Sequence, residues 1–415
     1  MNFIDYALFI KFLLIVVVIY IFPYRGENWN VYMEEIGGFL DGELNYSKLK
    51  SNNVSLNSPG GFVWLYSALY YITKAGASIS LAQIIFSYVY LITFGMVLSL
   101  YRQAEFPSWV STLLFVSPRI LSTYSLSLSN DCWGMFFLYG AITLIAGRRY
   151  WKLGCLLYSM AVSVKSSLLL VGPGLLYVLF RSLSFFKVLY CLAVCVLWQL
   201  VVGYPFIFDD WRSYVGKVFA LRSIFIFDCP ENDQLFEKIL CTTPYRTHVF
   251  LAIVVVSWLL LWRLRWSTRW RITVDDEKKE GEKNDIFHEK DSCRSHMIVL
   301  TLFESNFAGL LVESIFHCGL YTSFFHMLPY ILYSTEYPIW LSSVVLGLII
   351  QGFEIFPPTH GHSILMMTGI ISLILGILFF GTNNNIRRAH KKGAAKIIEE
   401  EYDSNNFSLP SSSKV

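Results

Sequence analysis

The chain reads as an all-α, polytopic membrane protein, and three observations carry that reading. Mean hydropathy is +0.50. Of the 415 residues, 55% are hydrophobic and only 15% charged, whereas soluble domains carry about 25% charged residues. Apolar segments also recur along most of the length, several approaching the ~20 residues that a helix needs to cross the hydrocarbon core. A surface so poor in charge faces lipid. The net charge of +3 comes from 33 basic and 30 acidic residues scattered through short loops, so there is no basic patch for nucleic acid.

In chain order, residues 1–23 hold a retained first transmembrane helix. Lys11 interrupts its apolar stretch and no A-x-A-like cleavage site follows. Residues 24–61 form an acidic loop, and 62–203 a transmembrane core with apolar segments near 62–73, 80–101, 108–128, 132–147, 153–164, 167–180 and 186–203. Residues 204–247 alternate aromatics with charge, the pattern of amphipathic interfacial helices. A helix follows at 248–264, then a mixed-charge linker at 265–296 ("DDEKKEGEKNDIFHEKD") without hydrophobic period, then further membrane helices in 297–381. Residues 382–415 are a polar tail. Several segments are too short to span alone, which predicts half-length or re-entrant pieces and about 11–13 membrane elements in all.

Loop charge sets the orientation. Basic clusters stand at "RRYWK" (148–152), "RLRWSTRWR" (263–271) and "RRAHKK" (387–392), and residues 24–60 hold three basic and five acidic side chains, a net of −2. The basic clusters are expected on the cytosolic side, together with the N-terminus, and the acidic loop opposite. Cys132, Cys155, Cys191, Cys195 and Cys318 lie in or beside apolar runs and read as small hydrophobes. Cys229 and Cys241 share one polar loop, where an oxidising lumen would permit a disulfide. His360 and His362 in "PPTHGH" have no carboxylate nearby, so no metal site is expected. The chain has no P-loop, no GxGxxG, no CxxC pair and no HExxH.

The acidic loop "RGENWNVYMEEIGGFLDGELNYS" (25–47) reads two ways. Its carboxylates are interfacial solubilising groups, or one of them is a general base aimed into a cavity at the membrane boundary. A base in that position suits an enzyme whose substrates are themselves lipids.

These residues carry a resemblance. "NWNVYMEEIGGFLDGELNYSKLK", "PGGFVWLYSALYYIT" and "LAQIIFSYVYLITF" are similar to the dolichyl-phosphate-mannose-dependent α-1,3-mannosyltransferases of the endoplasmic reticulum, which belong to the GT-C glycosyltransferases. "SPRILSTYSLSLSNDCWGMFFLYGAI", "AVSVKSSLLLVGPGLLYVL", "TLFESNFAGLLVESIFHCGLYTSFFHMLPYILY" and "LGLIIQGFEIFPPT" follow in the same order, so the resemblance covers roughly residues 25–360. It implies a GT-C-like helical bundle with lumenal loops bearing amphipathic helices, in the endoplasmic reticulum membrane. It also implies transfer of mannose, with inversion, from dolichyl phosphate mannose to the five-mannose dolichol-linked oligosaccharide. The donor is a lipid substrate and no cofactor is implied. Inversion needs one carboxylate to deprotonate the acceptor 3-hydroxyl, and cationic or hydrogen-bonding groups to stabilise the departing dolichyl phosphate.

The match is least complete where the chemistry is expected. The family's Asp-Trp pair, whose Asp is the expected base, reads Asn28-Trp29 here, and an amide does not accept a proton as a carboxylate does. Glu27 is the adjacent carboxylate, with Glu34 and Glu35 about two helical turns further along. Ala220 and Ser223 stand at the family's lumenal Asp and Arg positions, with Arg222 one residue away as a phosphate partner. The family's "HYQ" becomes "HCG", leaving His317. Asn130, Asp131, Lys165, "ESNF" (304–307) and "FHMLPY" (325–330) match.

The resemblance therefore assigns Glu27 and Asn28 to the catalytic position, Lys165, Arg222, His317 and His326 to the donor phosphate, and Trp29, Asn130 and Asp131 to substrate. Local alternatives stand beside three of these. Lys165 reads equally as a pair-forming structural lysine, Asp131 as the cap of the following helix, and His326 as a core histidine. A catalytically silent paralogue that keeps the fold is the alternative to an active transferase.

Overall fold

The computed structural model describes residues 3–22, 24, 28–51, 54–219, 246–271, 287–314, 321–335, 337–354 and 360–379. Almost all of them are helical, as the sequence predicts, because a backbone crossing lipid must satisfy its own hydrogen bonds. The one β feature among them is a two-residue antiparallel pair, β1 (Lys50–Ser51) with β2 (Val54–Ser55). Glu27, Arg222 and His317 lie outside the described residues, as do Ala220, Ser223, Cys229, Cys241 and Cys318.

The first helix, α1 (Phe3–Ile21), has 19 residues, about 28 Å at ~1.5 Å per residue, close to the thickness of the hydrocarbon core. The acidic segment that follows is itself mostly helix, α2 (Asn28–Leu40), and it lies against the short apolar α3 (Gly60–Ile72). Tyr32 meets Phe62 and Tyr66 edge-on at 5.1 and 5.2 Å, and Phe39 meets Trp64 at 5.7 Å. Aromatic contacts of this kind hold two short helices that neither span nor bury themselves alone.

Next comes α4 (Ile79–Gln103), long enough to cross, then a broken crossing of α5 (Ser108–Thr112), a 3-10 turn and α6 (Pro118–Ser125). A tight pair follows, α7 (Asp131–Ala146) with α8 (Trp151–Val164). A 3-10 segment (Ser166–Val171) then leads into α9 (Gly172–Ser182), the half-length kind of piece that the short apolar runs predict.

The 34-residue α10 (Phe185–Val218) carries Pro205 inside it and breaks from helical geometry at Asp210, where φ is −150° and ψ 88°. Proline removes a donor and crowds the preceding turn, so the helix bends within a few residues of it. After the bend, Tyr214 stacks on Phe206 at 5.7 Å and meets Tyr46 at 4.9 Å. The start of the segment expected to be an amphipathic loop is thus a helical extension folded onto the acidic segment.

The remaining helices are α11 (Arg246–Leu260), continued by a π-helical turn (Leu261–Trp266), and α12 (Phe287–Ser314). After them come α13 (Tyr321–Phe324), a 3-10 turn (Phe325–Met327), α14 (Leu328–Ser334), α15 (Ile339–Glu354) and α16 (His360–Phe379). Four described helices are long and apolar enough to cross a membrane, starting at Phe3, Ile79, Phe185 and Leu251. Their outward faces are apolar, including Tyr20, Phe186, Phe208 and Trp262, and the protein is a multi-pass membrane helical bundle.

The two ends of the bundle differ in charge. The Tyr32 phenol faces the backbone of Asn130, so the acidic α2 covers the N-terminal end of α7. At the other end of α7, Ser295 in the N-terminal third of α12 donates to the carbonyl of Ala146 at 2.8 Å, beside the basic turn 148–152. This separation is the one that loop charge predicts.

The helical stretch that continues α11 beyond the π-turn, residues 267–271, is fixed to α12 by a buried ion pair. Arg269 donates to Glu304 Oε2 at 2.6 Å, and the Trp266 indole donates to the same oxygen at 3.0 Å. Arg269 is 2% exposed and Glu304 1%, so neither charge has water to fall back on. Removing the carboxylate takes the ion-pair partner from a buried guanidinium, a loss of about 3–5 kcal/mol. The expected outcome for Glu304→Leu is therefore a large drop in Tm in detergent, and for Trp266→Phe a small one, checked by thermal unfolding of the purified variants.

Candidate functional site

A polar cluster is buried where α7, the 3-10 segment after α8, and α13 meet. Asp131 opens α7, and its carboxylate forms an ion pair with Lys165. The second carboxylate oxygen accepts from Thr322 Oγ1 at 2.5 Å. Lys165 also donates to Ser323 Oγ at 3.0 Å, and the Ser323 carbonyl accepts from Asn306 Nδ2 at 2.9 Å. Asp131 is 6% exposed and Lys165 7%.

Local backbone explains why the two charges meet. Lys165 leaves the helical region (φ −138°, ψ 110°) between α8 and the 3-10 turn. That break directs its side chain inward, toward the start of α7. Gly134 lies one turn into α7, and a Cβ there would stand 3.2 Å from Leu168 Cδ1 and 3.4 Å from Lys165 Cβ, so the lysine stem packs directly beside the α7 backbone.

Of the alternatives open for these residues, the pair-forming lysine is the arrangement present. The Asp131 carboxylate does not cap α7: it is engaged by Lys165 and Thr322, and the Asp131 N–H donates to Ser129 Oγ at 3.3 Å.

Above this cluster lies α2. Its first residue, Asn28, begins the helix, and Trp29 is fully buried. The Trp29 indole donates to the carbonyl of Gly76 at 3.0 Å and packs against Tyr66 and Phe86 at 6.2 and 6.1 Å. Gly76 has φ +81°, and a Cβ there would come within 2.5 Å of Met33. Only glycine fits this turn, which seats the N-terminal half of α2. Trp29 thus anchors the acidic helix and has no face open for substrate.

The acidic groups on α2 differ in environment. Glu34 is exposed and Glu35 is buried, at 5% exposure. Burial, with the Glu34 charge beside it, raises the Glu35 carboxyl from the ordinary range to about 7. Tyr32 and Tyr46 are pushed up as well, chiefly by burial, and both register the Glu35 charge. Sequence reasoning placed Glu35 two turns along α2 and assigned it no role. Spacing held a signal, since position 35 falls three residues after Tyr32 and seven after Asn28, on a face of α2 that Glu34 does not share; the burial itself comes from packing.

His326 sits apart from these groups. It is fully buried, with ring centres of Tyr90, Phe94, Tyr139 and Phe325 within 5.5–6.4 Å. Neither ring nitrogen has a hydrogen-bond partner among the described residues. Lys11 lies in the same aromatic enclosure, 5.0–5.3 Å from the rings of Tyr90, Phe94 and Phe115. This is core packing with cation–π contact.

A separate groove of about 620 Å³ is lined by Trp109, Leu113, Leu332, Tyr333, Tyr337 and Leu346, among others. It holds no carboxylate, lysine or arginine. Among the described residues, no group of three or more His, Cys, Asp and Glu could hold a metal.

Comparison with known proteins gives one consistent result. A family model described as "ALG3 protein" matches residues 6–363. The Dol-P-Man:Man(5)GlcNAc(2)-PP-Dol alpha-1,3-mannosyltransferase of Homo sapiens is 33% identical over 353 residues, covering 83% of this chain and 79% of that protein. The protein of the same name from Arabidopsis thaliana is 30% identical over 378 residues, covering 88% and 85%. No solved structure matches.

The Asp131–Lys165 pair makes a separable prediction. Asp131→Leu or Lys165→Met alone leaves a buried charge and is expected to cost about 3–5 kcal/mol, whereas the double variant is expected to recover most of that loss. Thermal unfolding of the single and double variants in detergent closes the cycle. Equal losses in all three would show that the pair does not hold the cluster.

Proposed function

The chain belongs to the ALG3 protein family, and on that premise we propose that it is an active mannosyltransferase of the endoplasmic reticulum membrane. In this reading the bundle is of GT-C type. It takes mannose from dolichyl phosphate mannose and attaches it, in α-1,3 linkage and with inversion, to the five-mannose dolichol-linked oligosaccharide. The observation that carries the reading is similarity along nearly the whole chain to relatives bearing that activity in their names.

The site geometry supports the same chemistry. Inversion is a single in-line displacement. A carboxylate takes the proton of the acceptor hydroxyl as its oxygen bonds to the mannosyl carbon, and the phosphate leaves with the electron pair of the broken bond. The protein supplies acidic groups on α2 at the end of the bundle opposite the basic turn 148–152, which is the lumenal end when the basic clusters are cytosolic. Lys165 and Asp131 hold that end together. Because Lys165 is already engaged, the role assigned to it is to position the chain beneath α2, with Arg222 and His317 left to meet the phosphate. Trp29 positions α2, and Asn130 positions Tyr32.

One observation favours a second reading. Asn28 stands where the family has an Asp, so a lipid-linked-sugar binder without transfer is the rival. Cells lacking the five-to-six-mannose transferase decide between them. Expression of this chain is expected to restore the six-mannose lipid-linked species, measured on extracted oligosaccharides. Stable membrane expression with only the five-mannose species would establish the silent paralogue.

A further inference from the structure

Glu35 combines two properties that the other described groups on α2 lack. It is buried, and its carboxylate has neither a hydrogen bond nor an ion pair with any described residue. A buried carboxylate without a partner is costly, and such groups persist mainly where function requires them. Other buried carboxylates of the bundle are engaged: Asp131 by Lys165 and Thr322, Glu304 by Arg269 and Trp266.

Its position is equally specific. Residues 28, 32 and 35 are spaced by four and three, which places them on one face of α2. Position 28, where the base is expected, is asparagine, and Glu35 lies ~10 Å further along the same face at ~1.5 Å per residue. Tyr32 stands between them and faces the backbone of Asn130, immediately before Asp131. The next residue on Glu35's flank, three positions on, is Gly38, which carries no side chain, and a Cβ at Gly37 would meet nothing within 4 Å. The surroundings of Gly37 are thus open, whereas beside Gly38 a Cβ would stand 3.4 Å from the Leu49 side chain.

We infer that Glu35 is the general base of the mannosyl transfer, taking over the role that Asn28 cannot perform. This rests on the transferase reading. The acceptor O–H proton passes to the Glu35 carboxylate while the hydroxyl oxygen bonds to the mannosyl carbon. The carbon–oxygen bond to phosphate breaks, and its electron pair leaves with dolichyl phosphate, so charge and atoms balance.

The groups that set its titration are few. Glu34 on the same helix adds a neighbouring negative charge. Tyr32 and Tyr46 face it from α2 and the following turn. α3 brings only tyrosines, β1 carries Lys50, and Lys217 of α10 reaches the Tyr46 carbonyl at 3.1 Å. With burial and Glu34 holding the proton on, the base is half-ionised near pH 7. A base works unprotonated, so activity rises with pH through that value and levels off above it.

The test uses the full-length protein in microsomes, with dolichyl phosphate mannose and the five-mannose lipid acceptor, across pH 5.5–8.5. Glu35→Gln is expected to lose about 100-fold or more in kcat, with Glu35→Asp intermediate. Glu34→Gln is expected to stay active and to move the acidic limb downward, because the charge that raises Glu35 is gone. Asp41→Asn, exposed on the same segment, controls for local perturbation. Stability separates a catalytic loss from misfolding. The raised carboxyl pKa means that ionisation destabilises the fold progressively from about pH 4.5 to 7. Glu35→Gln should therefore be at least as stable as wild type at pH 8. Activity of Glu35→Gln within threefold of wild type, or an unmoved limb in Glu34→Gln, overturns the assignment. Loss on Glu27→Gln with Glu35→Gln active overturns it in favour of Glu27. A wild-type protein that transfers no mannose overturns the transferase reading itself, and this assignment with it.

Discussion

The ion pair between Asp131 and Lys165 is the contact on which one whole end of the bundle depends. Neither residue is near the other in sequence, and each sits where a helix starts or breaks. Their charges are tolerated inside an apolar bundle only because each neutralises the other and Thr322 and Ser323 take up the remaining bonding capacity. That requirement fixes α7, the break after α8 and α13 at a single mutual position. Asn306 extends the constraint into α12 through the Ser323 carbonyl. The pair is better understood as a means of defining geometry than as a source of stability, since well-packed apolar groups often stabilise a core as much.

On this base the acidic helix α2 is set down by a second class of force. Trp29, Met33 and Tyr32 dock it through aromatic packing, one indole hydrogen bond and a left-handed glycine turn at Gly76. Farther along, Phe39 and Tyr46 join the bent end of α10 through Phe206 and Tyr214. These contacts do not neutralise the carboxylates of α2. They decide which carboxylate is exposed and which is buried, so Glu34 and Glu35, adjacent in the chain, have different environments. The same logic works at the other polar site of the bundle with the opposite result, because Arg269 meets Glu304 and leaves it a structural group.

Much of this was legible in the residues. Hydropathy gave the helical membrane bundle, the short apolar runs gave half-length pieces such as α3 and α9, and loop charge gave the separation of acidic and basic ends. Asp131 and Lys165 stood out because ionisable groups at apolar boundaries need a reason. Their partnership was not legible, because pairing 34 residues apart follows from how α7 and α8 pack and not from any local spacing. His326 illustrates the converse. In sequence it read as a donor-phosphate group or a core histidine, and the tertiary fold encloses it in aromatic rings.

The sequence by itself determined the class of solvent, the grouping of acidic and basic segments and the family, because these depend on composition and order along the chain. Tertiary structure alone decided the electrostatic environment of each ionisable group, because desolvation and pairing depend on which distant residues arrive beside it. Asn28 is visible as an asparagine in any reading of the chain. That the carboxylate two turns further along is buried follows only from where Tyr32, Tyr46 and the helices beneath them are packed.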